Sequence, residues 1–265
     1  MKRFINILLI GLAIQLMPHN RALAGTPEDK GLAITMEADK RDTGFKDYIS
    51  EMCMILRNKH GKESIRNIRI KVLEVENDGD KSLTIFDNPR DVKGTAFLNY
   101  THKVGDDDQW LYMPALKRVK RISSRNKSGS FVGSEFSYED ISSQEVEKYT
   151  YKWIRDETYE GSPCFVVDFY PVDKKNSGYT RQLNWIDKKE YRVLKTEFYD
   201  KKQSHLKTLT FSGYNIYLDK YWRADKLHMI NHQNAKSTGL EFENYKFLTG
   251  LKITDFNKNS LKRIR

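Results

Sequence analysis

Turn-forming clusters punctuate this chain at intervals of roughly 8–12 residues, and that spacing limits the fold more than any other feature. The clusters include His60-Gly61-Lys62, Asn77-Asp78-Gly79-Asp80, Gly105-Asp106-Asp107-Asp108, Tyr159-Glu160-Gly161, Asn176-Ser177-Gly178, Asp187-Lys188-Lys189 and Asp200-Lys201-Lys202. Between them lie short runs in which apolar or aromatic residues alternate with polar ones. Ile68, Ile70 and Val72 stand opposite Arg69 and Lys71, and Tyr149, Tyr151 and Trp153 share one face. Alternation with period two is the signature of a half-buried strand. No βαβ alternation occurs, and no repeat of about 20–50 residues. The chain is mainly β: a strongly curved antiparallel sheet with a few short helices.

The densest stretch runs from Phe86 to Asp140. It joins Phe86–Leu98, Trp110–Met113, the basic run Leu116–Ile122 and Gly129–Asp140 as successive apolar segments separated by turns. Further strands are expected over Tyr48–Leu56, Ser64–Glu76, Lys81–Phe86, Val146–Arg155, Cys164–Tyr170, Tyr179–Ile186, Tyr191–Tyr199, Leu206–Phe211, Tyr214–Leu218, Tyr221–Ile230 and Ser237–Phe247. At Leu73 and Val75 the apolar residues change face, which predicts a bulge. Thr26-Pro27-Glu28-Asp29 has the order of a helix start: a capping Thr, Pro at the first position and acids at the positive end. A short amphipathic helix is expected from there to about Lys40, with Gly44 ending it. Ser128–Ser134, rich in Gly and Ser, reads as a loop, and Ser137–Asp140 as the start of a short helix.

The first 24 residues have the pattern of a cleaved secretory signal. Lys2 and Arg3 precede an apolar run from Phe4 to Met17, and Ala22-Leu23-Ala24 supplies the small residues before Gly25. The run is shorter than the about 20 residues needed to cross a bilayer. Residues 25–265 are then expected to form one mature, exported and soluble domain, working as a monomer. Cleavage removes three cations and no acid, so the net charge falls from +10 to +7. A basic excess often marks a nucleic-acid binder, but an exported protein has little access to nucleic acid. Anionic lipid surfaces or an acidic partner suit that compartment better. Cys53 and Cys164 lie far apart in sequence, and an oxidising compartment permits a disulfide. Each sits in an apolar run, which favours two free thiols.

Three motifs carry a family resemblance. They are Phe86-x-x-Pro89-x-Asp91-Val92-Lys93-Gly94-Thr95-Ala96-Phe97-Leu98, then Gln109 to Ile122, then Gly133-Ser134-Glu135-Phe136-Ser137-Tyr138-Glu139-Asp140. Together they resemble the LolA-like outer-membrane lipoprotein-sorting proteins. The resemblance implies an incomplete antiparallel β-barrel with a helical lid, whose apolar hollow receives acyl chains in the periplasm. It implies no cofactor and no catalytic residue. Its partners would be the acyl chains of a lipid or lipoprotein, with an inner-membrane exporter as donor or an outer-membrane acceptor. The second reading is a non-catalytic lipid-sensing or regulatory interaction protein of the envelope.

Candidate residues follow from the same stretch. Phe97, Leu98, Trp110, Leu111, Tyr112, Met113, Phe131, Phe136 and Tyr138 are candidates for the lining of the hollow, since pocket walls are apolar and aromatic. If residues 109–113 are extended, Trp110 and Tyr112 share one face, and Leu111 and Met113 the other. Lys117, Arg118, Lys120 and Arg121 are candidates for electrostatic steering toward anionic head groups or an acidic donor. Enzyme chemistry lacks material. Ser134 is outside a nucleophile-elbow pattern. The six histidines have no metal spacing, and His228 and His232 fall in a strand and its turn. Asp106–Asp108 has the carboxylates of a calcium loop without its length or distal Glu. No metal or cofactor is expected.

Overall fold

The computed structural model describes residues 25–263, so the expected signal segment lies outside the described residues. Thirteen strands form a single antiparallel sheet: β1 (Asp47–Arg57), β2 (Glu63–Leu73), β3 (Lys81–Asn88), β4 (Ala96–Tyr100), β5 (Asp108–Met113), β6 (Arg118–Ile122), β7 (Tyr149–Tyr159), β8 (Ser162–Pro171), β9 (Arg181–Asp187), β10 (Val193–Tyr199), β11 (His205–Tyr217), β12 (Tyr221–Asn231) and β13 (Lys236–Phe247). Their spatial order is β6-β5-β4-β3-β2-β1-β13-β12-β11-β10-β9-β8-β7. The chain therefore starts mid-sheet, meanders out to one edge at β6, crosses to the far edge at β7, and meanders back until β13 pairs with β1.

This order dictates the path of the crossing. Every neighbouring pair is antiparallel, so across thirteen strands the first and last of the row point the same way. Strands β6 and β7 are thus parallel as well as consecutive. A tight turn cannot join parallel strands; such a connection needs a dozen or more residues. Residues 123–148 supply it and run back along the length of the sheet.

The sheet curls around that segment. Laid flat, thirteen strands would span roughly 60 Å. Yet one apolar cluster unites Met52, Ile68, Phe86, Phe97, Leu111 and Ile122 from β1–β6 with Phe198, Leu209, Met229 and Leu240 from β10–β13. The face carrying this cluster is the inner face. On the outer face Leu83, Ile85, Ala96 and Leu98 are covered by Phe256 and Leu261 of the C-terminal segment.

A helix, α1 (Pro27–Asp42), lies across the inner face beside β7. Its start is as expected: Thr26 Oγ1 accepts from the Asp29 N–H at 3.1 Å, and Asp29 Oδ2 accepts from the Thr26 N–H at 3.0 Å. The buried face is narrower than the amphipathic reading implied. Gly31, Ile34 and Thr35 are buried, while Leu32 and Met36 are exposed. Close approach explains the glycine, because a Cβ there would stand 2.8 Å from the backbone nitrogen of Trp153. Ile34 packs with Tyr151, Val167, Phe169 and Ile186. At the far end Arg223 pairs with Asp42, and Lys220 Nζ donates to the Thr43 carbonyl at 2.7 Å.

Three local expectations change. Tyr214–Leu218 is no separate strand, because β11 runs unbroken through Ser212-Gly213 and Gly213 absorbs the irregularity with φ +66°. Leu73 changes face because β2 ends there, and the register shift between β2 and β3 falls at Asn67/Ile68. Ser137–Asp140 forms a turn and not a helix, with the Asp140 carboxylate accepting from the Ser137 N–H at 2.6 Å. Both cysteines are free, Cys164 buried and Cys53 half-buried.

Candidate functional site

The crossing segment occupies the inner face. Residues 129–138 fold back on themselves: the Phe131 N–H donates to the Phe136 carbonyl at 2.7 Å and the Tyr138 N–H to Gly129 at 3.1 Å. At the tip Val132 and Gly133 both have positive φ, and Ser134 Oγ donates to the Phe131 carbonyl at 2.8 Å. Ser134 is thus spent on holding the turn. The fold-back drives Phe131 and Phe136 inward until both are fully buried. The Phe131 ring lies 5.2 Å from Phe97, 6.0 Å from Phe86 and 5.6 Å from Tyr138, in tilted or edge-on contacts that aromatic rings favour.

Polar groups hold the segment down. Lys207, on β11, projects from the same face as Leu209 and Phe211. Its Nζ reaches Asp140 Oδ2 at 2.7 Å and the Glu135 carbonyl at 3.0 Å, with both charged side chains 4% exposed. The Tyr179 hydroxyl donates to Asp140 Oδ1 at 2.8 Å, and burial pushes that phenol well above its ordinary pKa. Arg66 Nη1 donates to the Val132 carbonyl at 2.5 Å. Glu135 receives Asn231 Nδ2 at 2.7 Å, and its N–H donates to Thr238 Oγ1 at 3.0 Å. Glu139 Oε1 accepts from the Gly178 N–H at 2.7 Å. Burial, reinforced by the neighbouring Asp140 charge, pushes the Glu139 carboxyl up to about 7. Burial does the same to Glu145, also to about 7.

Beside the segment opens a cavity of about 270 Å³. The β4–β5 turn, the crossing segment and the end of β8 enclose it, and its walls carry Lys103, Lys127 and Lys148 together with Asp106, Asp107, Glu139, Glu147 and Asp173.

The candidate lining residues separate into two groups. Phe97, Leu111, Met113, Phe131, Phe136 and Tyr138 meet in the inner cluster. Of these, Phe131, Phe136 and Tyr138 belong to the crossing segment rather than to the sheet. Leu98, Trp110 and Tyr112 face the other way and pack under the C-terminal segment with Phe256 and Leu261. The basic residues separate likewise. Arg121 pairs with Asp108 at 2.6 Å beside Trp110, whereas Lys117, Arg118 and Lys120 stand exposed at the β6 edge. Positive charge on an edge strand also blocks edge-to-edge pairing with another chain. His232 Nε2 and His205 Nε2 both hydrogen-bond Thr208 Oγ1, at 2.8 and 3.0 Å. Among the described residues no group of three or more His, Cys, Asp or Glu is placed to hold a metal ion.

Sequence reading missed Lys207, Asp140, Tyr179 and Arg66. A signal for two of them was present. Lys207 alternates in phase with Leu209 and Phe211, and Arg66 with Ile68 and Ile70. A cation in phase with a buried face requires a partner there.

This unclosed, curled antiparallel sheet with its short helical elements matches a LolA superfamily fold. A LolA superfamily protein from Nitrosomonas europaea shares this fold with a TM-score of 0.69 over 86% of this chain and 98% of its own, at 20% identity. A family model described as "Uncharacterized protein" matches residues 78–263. An outer membrane lipoprotein-sorting protein domain from Vibrio parahaemolyticus is 60% identical, with a TM-score of 0.87, covering 89% of this chain and 100% of its own. A DUF1329 family protein from Desulfovibrio piger is 29% identical, with a TM-score of 0.84 and the same coverage. No curated protein matches. The chain belongs to the LolA-like outer-membrane lipoprotein-sorting family. No described helix is long and apolar enough to cross a membrane.

Proposed function

We propose that this protein is a periplasmic, non-catalytic carrier that takes the acyl chains of a lipid or lipoprotein against its inner face and moves them toward the outer membrane. One observation carries the reading. The largest apolar cluster of the molecule is completed by three rings, Phe131, Phe136 and Tyr138, that belong to a single connecting segment and not to the sheet. An acyl chain offers the same kind of contact as those rings, and burying it recovers about 0.8 kcal/mol per CH₂. Cargo then replaces the segment against Phe97, Leu111 and Met113. Lys117, Arg118 and Lys120 at the exposed edge steer the protein to an anionic surface or an acidic donor. Residues 1–24 direct export and are removed.

A second reading has its own support. The segment is also tied down by the buried Lys207–Asp140 pair. A face that stays filled suits a lipid-sensing or regulatory interaction protein better than a carrier. Native mass spectrometry of protein recovered from the periplasm separates the two. The carrier reading expects bound lipid and a chain beginning at Gly25. Protein free of lipid that also takes up no fluorescent acyl probe refutes it.

A further inference from the structure

The charged cavity beside the crossing segment has a composition that acyl binding does not use. Its cations and anions are mixed. Lys127 Nζ lies 2.8 Å from Asp173, and Lys148 pairs with Asp107. Four charged side chains in the lining have no ion-pair partner among the described residues: the Lys103 ammonium and the carboxyl groups of Asp106, Glu139 and Glu147, of which Glu139 accepts from the Gly178 N–H. A purely anionic ligand would enter against several carboxylates, and a purely cationic one against three ammonium groups. Either would be desolvated next to like charge. A ligand carrying both signs a few ångströms apart meets complementary partners and leaves the existing pairs intact. Size narrows the class further. At about 30 Å³ per water, 270 Å³ holds roughly nine waters, the bulk of a head group and not of a whole lipid.

The rim indicates where such a ligand comes from. Val104 is 83% exposed at the tip of the β4–β5 turn, and Val172 is 59% exposed just after β8. Both border the cavity. Apolar side chains projecting beside a charged recess match the layering of a bilayer surface, where hydrocarbon lies under charged head groups. We propose that the cavity binds the head group of a glycerophospholipid bearing a phosphate and a primary ammonium, Lys103 taking the phosphate and Glu147 the ammonium. Val104 and Val172 dip into the surface at the same time. The acyl-binding reading fits this site, since it places a lipid's polar end at the mouth of the hollow, but head-group recognition stands or falls separately.

The test uses ligands without acyl chains. The mature chain is titrated with glycerophosphoethanolamine, glycerol phosphate and ethanolamine, followed by calorimetry. The first is expected to bind, and each half alone to bind at least about tenfold more weakly, since each forfeits one set of charge-assisted hydrogen bonds. Lys103→Gln and Glu147→Gln each weaken glycerophosphoethanolamine by about tenfold without altering the melting temperature. In sedimentation with vesicles, phosphatidylethanolamine mixed into phosphatidylcholine raises binding over phosphatidylcholine alone. Val104→Asp removes that vesicle binding and retains the soluble head group. Equal affinity for the three small molecules, or none for any, overturns the site. Binding of the soluble head group with no preference between the vesicles overturns its assignment to a membrane lipid. Neither failure touches acyl uptake, which is read with the fluorescent probe.

Discussion

At β3–β5 both faces of the sheet are covered by the protein's own chain, and the two covers are held in different ways. On the outer face of β3–β6, Phe256 and Leu261 sit fully buried against Leu83, Ile85, Ala96 and Leu98, a seal made mostly of apolar contact. On the inner face, Phe131 and Phe136 are as deeply buried. Their segment, however, is anchored by Lys207–Asp140, Arg66 to Val132, Asn231 to Glu135 and Gln109 to Tyr138, and it borders a water-accessible cavity. An apolar cargo can replace rings. It cannot replace C-terminal residues whose removal leaves a hole in the core. On the proposed carrier reading, the outer cover serves folding and the inner cover is the part that cargo replaces.

The strongest test removes an outer ring. Phe256→Ala should cost about 3–5 kcal/mol, read by chemical denaturation, while uptake of an acyl probe per folded molecule stays at the wild-type level. Equal loss of uptake would erase the distinction between the faces. Asp140→Ala comes next. It strands Lys207 in the inner cluster, and breaking a buried pair costs about 3–5 kcal/mol. The cost should fall on residues 123–148, as faster amide exchange and increased probe uptake, with strands β3–β5 still protected. Global unfolding without a gain in uptake would mean that the segment is ordinary core.

Polar substitutions sharpen the comparison on adjacent residues. Leu98→Asn introduces an amide under the C-terminal segment, and Leu111→Asn introduces one against the inner cluster. An unsatisfied polar group costs about 1–3 kcal/mol. For Leu98 the loss should appear in stability, and for Leu111 mainly in uptake. The smallest effect is that of pH. Glu139 and Glu145 each have a carboxyl raised to about 7 from an ordinary value of 4.5. The folded state therefore holds protons that the unfolded chain has released, and stability falls as pH rises from about 4.5 to 7. Going from pH 8 to pH 5.5 should raise the melting temperature by about 2–4 °C. Glu139→Gln should flatten that rise, and amide exchange should locate it in the inner segment.

The strands and the helix start were legible because their signals are local. A capping Thr before Pro27, a Gly-Ser loop at 128–134 and alternation in β2 and β7 each depend on neighbours a few residues away. What was hidden depends on the other side of the sheet. Both faces of β4 are buried and the outer face of β5 is half-buried, so Leu98 and Phe97 present the same residue class to opposite covers. Phe131, Phe136 and Tyr138 are as apolar as any strand, and nothing nearby shows that they lie within the sheet and not in it. That follows only from counting strands, since an odd number makes β6 and β7 parallel and sends their connection back through the interior.

Amide exchange of residues 129–140 with and without a fatty acyl ligand tests the central idea most directly. In the free protein the Phe131, Tyr138 and Glu139 amides donate to carbonyls within the segment itself. If cargo takes the place of the segment, ligand should speed exchange at these amides and leave β4 and β5 unchanged. Ligand that binds while the same amides stay as slow, or become slower, would contradict displacement and leave the inner cover as permanent as the outer one.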